Sequence, residues 1–119
     1  MKIYKVYREL EMNCESDVQY RKNVNGAIQY FNDLTRKYIK ETDYINEEYF
    51  EEAIEDLRRD IKEFYTDREI VCRKYPLLMY KEEDKLVAQI CFWSKYSCEF
   101  DEWGIEEYRI VLEKIEVLD

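Results

Sequence analysis

Apolar residues first recur at every second position. Over residues 2–12, Tyr4, Val6, Leu10 and Met12 share one face and Lys5, Glu9 and Glu11 the other. Arg8 interrupts the apolar set, and Ile3 and Tyr7 make the second face partly apolar. Alternation of this kind puts successive side chains on opposite faces of a strand, so the chain opens on a strand. Residues 13–22 are polar and carry no period; they read as a loop entering a helix.

The period then changes. Val24, Ile28, Phe31, Leu34 and Tyr38 fall on one face of a helix over about 23–40. Asn23 is placed to cap it, and Gly26 in its first turn costs about 1 kcal/mol relative to alanine. Phe50, Ile54, Leu57, Ile61 and Phe64, with Ala53 beside them, predict a second helix that starts at Asn46 and stops near Thr66-Asp67. The short segment 41–45 would then join the two helices as an antiparallel hairpin.

Beyond residue 69 the period returns to two. Ile70–Tyr75 and Leu77–Lys81 read as two strands, or as one strand bent at Pro76, which belongs on an edge because it cannot donate to a ladder. Glu82-Glu83-Asp84 makes a turn into the strongest strand, Lys85–Lys95. There Leu86, Ala88, Ile90 and Phe92 point one way, and Val87, Cys91 and Trp93 the other. Both of its faces want cover, and the helical hairpin supplies it for one only. Residues 106–117 form a last strand, whose change of parity at Ile115 and Val117 predicts a bulge near Glu113-Lys114. The fold expected is α+β: a mainly antiparallel sheet of four to five strands with a two-helix hairpin packed on one face, in the order β-α-α-β-β-β(-β).

Composition sharpens this picture. At 119 residues the chain has the size of one domain, and two glycines and one proline leave no room for a linker. Residues 1–119 therefore read as a single domain. No apolar run approaches the roughly 20 residues that span a bilayer, and the N-terminus alternates without a signal-peptide apolar block. Cys14, Cys72, Cys91 and Cys98 form no C-x-x-C pair. They read as reduced thiols of a cytoplasmic protein and not as a zinc site.

Charge and candidate chemistry point to binding. Lys and Arg number 19 against 28 Asp and Glu, a net charge of −9 that disfavours direct contact with nucleic acid or anionic membranes and favours a basic partner. Histidine is absent, and Gly26 and Gly104 stand too far apart to build a phosphate loop. No enzyme and no cofactor is expected.

Two acidic features remain. Glu52, Asp56 and Asp60 fall at successive i,i+4 steps of the second helix, with Glu63 continuing the row; like charges at that spacing destabilise a helix by a few tenths of a kcal/mol each. Between Glu99 and Glu107, the acids Glu99, Asp101 and Glu102 surround the aromatic anchors Phe100 and Trp103, with Glu106 and Glu107 following.

The leading expectation is a small acidic inhibitor that occludes the groove of a basic nucleic-acid-handling protein, a nuclease or a nucleoprotein complex, by mimicking nucleic acid. Phage anti-defence proteins, anti-CRISPRs among them, and toxin immunity proteins share this general profile; the likeness is one of type, carried by no motif. One alternative is a domain that sequesters a small molecule or nucleotide, with Arg73 or Arg109 as anion contacts. Another is an oligomeric adaptor that associates through the outer sheet face.

Overall fold

A computed structural model describes residues 1–50, 59, 62–63, 69–71, 77–95 and 103–117. The chain forms β1 (Lys2–Glu9), one turn of 3-10 helix (Glu11–Asn13), β2 (Glu15–Arg21), α1 (Val24–Phe50), β3 (Glu69–Val71), β4 (Leu77–Glu82), β5 (Lys85–Lys95) and β6 (Trp103–Glu116). The six strands lie in the order β2-β1-β6-β5-β4-β3, with each neighbouring pair antiparallel. The fold is α+β with an antiparallel sheet, as the periodicity implies.

Helix α1 covers one face of this sheet. Asn23 caps it: its Oδ1 accepts the backbone N–H of Asn25 at 2.7 Å and of Gly26 at 3.4 Å. Ala27, Phe31, Leu34 and Tyr38 form its buried stripe and pack with Val6, Leu77, Ala88, Ile90, Ile110 and Leu112. Val24 and Ile28, expected in that stripe, are each 42% exposed, and Ala27 takes their place at the sheet. The small methyl lets the first turn approach the strands closely.

The helical hairpin is corrected. Residues 41–45, read as its connection, are helical, and α1 runs unbroken to Phe50, so Asn46 lies inside α1 and does not start a second helix. No glycine or proline stands between Gly26 and Phe50 to end the helix. Thr42 is fully buried and its hydroxyl donates to the Ile39 carbonyl at 3.0 Å, which ties the segment into the preceding turn. Arg59, Lys62 and Glu63 are helical; the rest of the expected second helix lies outside the described residues.

The sheet carries one strand that the hydrophobic pattern conceals. Glu15–Arg21, read as a loop, is edge strand β2. Its apolar residues Val18 and Tyr20 face solvent while Ser16 and Asp17 turn inward, the reverse of ordinary alternation. A bulge explains the reversal. The register shifts between Val6↔Gln19 and Arg8↔Ser16, and Asp17 takes a left-handed conformation at φ 55°, which aspartate tolerates. No bulge occurs at Glu113-Lys114: the β1–β6 ladder runs without a shift from Lys2↔Glu116 to Glu9↔Arg109, and Ile115 simply pairs opposite Ile3.

Ile70 and Leu77 belong to separate strands, β3 and β4, paired antiparallel; Pro76 lies outside the described residues. The turn after Glu82 places Glu83 at φ 56° and hands the chain to β5, whose bounds match the expected Lys85–Lys95. The second sheet face is closed to solvent at its centre. Tyr7, Val87 and Val111 form a small cluster there with Tyr80 against it, and Leu78, Gln89 and Cys91 are fully buried.

Candidate functional site

The longest strand outruns its neighbour. β1 stops pairing at Glu9↔Arg109, whereas β6 begins at Trp103. The chain leaves β6 at Leu10, whose N–H donates to the Cys14 carbonyl at 2.8 Å and so turns back toward β2. Where the two strands part there is an open cleft of about 570 Å³ lined by Arg8, Glu9, Leu10, Glu11, Glu106, Glu107, Tyr108 and Arg109.

Two cations and four carboxylates thus share one cleft, and the cations are held in different ways. The Arg109 Nε lies 2.8 Å from Glu9 Oε2 and its Nη2 3.1 Å from Glu82 Oε2, so two carboxylates flank one guanidinium. Arg8 makes no ion pair among the described residues. Its guanidinium lies over the Tyr108 ring at 4.1 Å and the Tyr38 ring at 5.0 Å, held by their π-faces. The interruption Arg8 makes in the apolar face of β1 therefore sets a half-buried guanidinium against aromatic rings beside α1.

Those rings are fixed in turn. Tyr38 and Tyr108 meet edge to face at 5.0 Å, and Phe92 lies 4.9 Å from Tyr108 on its other side. The Tyr108 hydroxyl donates to Glu41 Oε1 at 3.0 Å. Burial, aided by that carboxylate, pushes the Tyr108 phenol up to about 12, so it remains a neutral donor across the physiological range. The Tyr38 hydroxyl donates to Asp17 Oδ2 at 2.6 Å, and Lys37 Nζ stands 3.3 Å from Asp17 Oδ1. The bulge in β2 aims Asp17 at both. The Tyr38 hydrogen bond, with Lys37 beside it, holds the Asp17 carboxyl below the ordinary aspartate range.

The remaining acids differ. Glu11 and Glu106 are exposed and make no ion pair among the described residues. Glu107, also exposed, accepts a hydrogen bond from the buried Gln89 amide, which orients it. The cleft therefore presents Glu11 and Glu106 outward, while Arg109 is ion-paired and Arg8 lies over aromatic rings.

The sequence-selected residues meet this site at one end. Trp103 opens β6, its backbone paired with Lys95, and the acidic stretch continues through Glu106 and Glu107 into the cleft wall. Glu99, Phe100, Asp101 and Glu102 lie outside the described residues, as do Glu52, Asp56 and Asp60 of the helix row. Glu63 is helical and exposed. Sequence reasoning missed Glu9, Glu11 and Arg8, which join Glu106–Arg109 only through the β1–β6 register. The one local signal was a charged residue, Arg8, on an otherwise apolar face.

Among the described residues, no group of three or more His, Cys, Asp and Glu side chains could hold a metal ion, and no helix is long and apolar enough to cross a membrane. Cys14 is exposed and Cys91 buried, both as free thiols. Set against protein-family models, curated proteins and solved structures, the chain matches none.

Proposed function

We propose that this protein is an acidic binding module that inhibits a basic, nucleic-acid-handling partner by occupying its nucleic-acid groove. The observation that carries the reading is the state of the cleft: Glu11 and Glu106 are exposed and make no ion pair among the described residues, while Arg109 lies between Glu9 and Glu82 and Arg8 lies over tyrosine rings. Stability alone would favour pairing such carboxylates with bases. A site that leaves Glu11 and Glu106 without an ion pair among the described residues, in a chain of net charge −9, suits a cationic surface and draws it in from a distance. The acidic-aromatic segment Glu99, Phe100, Asp101, Glu102 and Trp103, which leads in sequence into Glu106 and Glu107, is a further contact in this reading, with Phe100 and Trp103 as anchors; Glu52, Asp56, Asp60 and Glu63 are a second acidic contact. The protein acts in a reducing cytoplasm, where Cys14 and Cys91 stay as thiols.

A competition experiment tests this. The protein is immobilised, a nuclease-treated extract of its host is passed over it, and bound protein is challenged with single- and double-stranded nucleic acid. Release of a basic protein by nucleic acid, and by salt, is the expected result. A captured partner that resists both would contradict groove occupation.

A further inference from the structure

The two cations that line the cleft are not equivalent. Arg109 lies between Glu9 and Glu82, whereas Arg8 makes no ion pair among the described residues. Its half-buried guanidinium lies over the Tyr108 and Tyr38 rings, and its Nε is buried without a hydrogen-bond partner among the described residues. A desolvated cation without a counter-ion is costly, and aromatic faces offset only part of that cost. Glu106 and Tyr108 stand two positions apart in β6, so they share the sheet face on which Arg8 covers Tyr108. Two strand residues span about 7 Å, which sets the Glu106 backbone one small molecule's length from the ring under Arg8. Glu11 lines the same cleft where the chain turns out of β1. The charges left without an ion pair are thus one guanidinium and two carboxylates. Their cleft, of about 570 Å³, has the size of a small-molecule site. The complementary ligand carries the inverse set, one anion and two cations.

We infer that the cleft binds a free basic α-amino acid, lysine or arginine. Its α-carboxylate meets the Arg8 guanidinium, its α-ammonium and side-chain cation meet Glu11 and Glu106, and its methylene stem lies along Leu10 and the Tyr108 ring. This goes beyond the reading of the chain as an acidic binder. A basic protein surface needs only the two carboxylates, whereas the amino acid also needs Arg8. The two occupants share Glu11 and Glu106, so each excludes the other.

Chemical-shift titration of the isotope-labelled protein, up to about 10 mM ligand, tests this with defined probes. Lysine and arginine are compared with cadaverine, which is lysine without its carboxylate, and with norleucine, which keeps both α groups and lacks the side-chain cation. Lysine should bind at least about tenfold more tightly than either, the factor expected when one charged hydrogen bond is lost. Attraction to a net charge of −9 alone would instead rank cadaverine first, since it carries two positive charges and no negative one.

Arg8→Gln should abolish the advantage of lysine over cadaverine, and Glu11→Gln/Glu106→Gln its advantage over norleucine. Circular dichroism checks that each variant is folded; should Arg8→Gln not fold, the wild-type ranking decides alone. No saturable shift with lysine or arginine would overturn the inference and leave the acidic-binder reading standing. Cadaverine binding as tightly as lysine would overturn the carboxylate site at Arg8, and norleucine doing so would overturn the match to two carboxylates. A preference for lysine that survives Arg8→Gln and Glu11→Gln/Glu106→Gln would place the site elsewhere and overturn the assignment.

Discussion

Asp17 sits in left-handed backbone at the β2 bulge, and its carboxylate collects Tyr38, Lys37 and Ser16. Asparagine tolerates the same backbone, so Asp17→Asn removes the charge and leaves the bulge. Loss of the charge-assisted bonds should destabilise the fold by about 1–3 kcal/mol in urea melts, and Tyr38→Phe by about 1–2 kcal/mol. Because the two share one bond, the double variant should lose less than the sum. The folded-state carboxyl is held below its unfolded value, so this contribution is complete above that value and disappears as the pH falls through the folded one. The stability gap between wild type and Asp17→Asn should therefore be full at neutral pH and shrink below about pH 4. Arg8→Lys should destabilise by about 0.5–2 kcal/mol even though the charge is kept, because a compact ammonium cannot cover the Tyr38 and Tyr108 rings as a planar guanidinium does. A urea midpoint unchanged from wild type would contradict that role.

At the level of the elements, the most regular patterns were readable and the irregular ones were not. β1, β4 and β5 were legible because side-chain alternation and flanking turns agree, and the start of α1 because Asn23 supplies a cap just before the apolar period. The strand β2 was hidden: a bulge at Asp17 inverts its faces, and an edge strand has no need of an apolar stripe on both sides. The run of α1 through 41–45 was hidden too, because the polar composition of Glu41-Thr42-Asp43 resembles a connection although nothing in it breaks a helix. Ile28 and Phe31 looked equivalent in sequence, yet only Phe31 meets the sheet. Phe31→Ala should cost about 3–5 kcal/mol and Ile28→Ala less than about 1 kcal/mol, as thermal or chemical denaturation would show. Gly26 has ordinary backbone, and a methyl added there would meet Arg21 Cδ at 3.8 Å, a normal contact. Gly26→Ala should therefore raise stability by about 0.5–1 kcal/mol by stiffening the first turn of α1. A loss instead would mean that the first turn needs glycine.

For the molecule as a whole, charge was legible at once and its geometry was not. A net charge of −9 and the acidic run ahead of the last strand pointed to a basic partner, but no local pattern could bring Arg8 and Glu11 beside Glu106–Arg109, about a hundred positions away. That meeting depends on the antiparallel β1–β6 register and on where β1 stops. The closed centre of the second sheet face was likewise beyond the pattern, because burial there is a property of the assembled chain. The functional claim narrows to Glu11 and Glu106, the cleft carboxylates that are exposed and make no ion pair among the described residues. It is tested most directly by measuring, over a series of salt concentrations, the affinity of the captured basic partner for the wild-type protein and for Glu11→Lys/Glu106→Lys. Both sites are exposed, so the fold should persist. The account predicts a fall in affinity of at least about tenfold together with a shallower salt dependence. Unchanged affinity and an unchanged salt slope would contradict it.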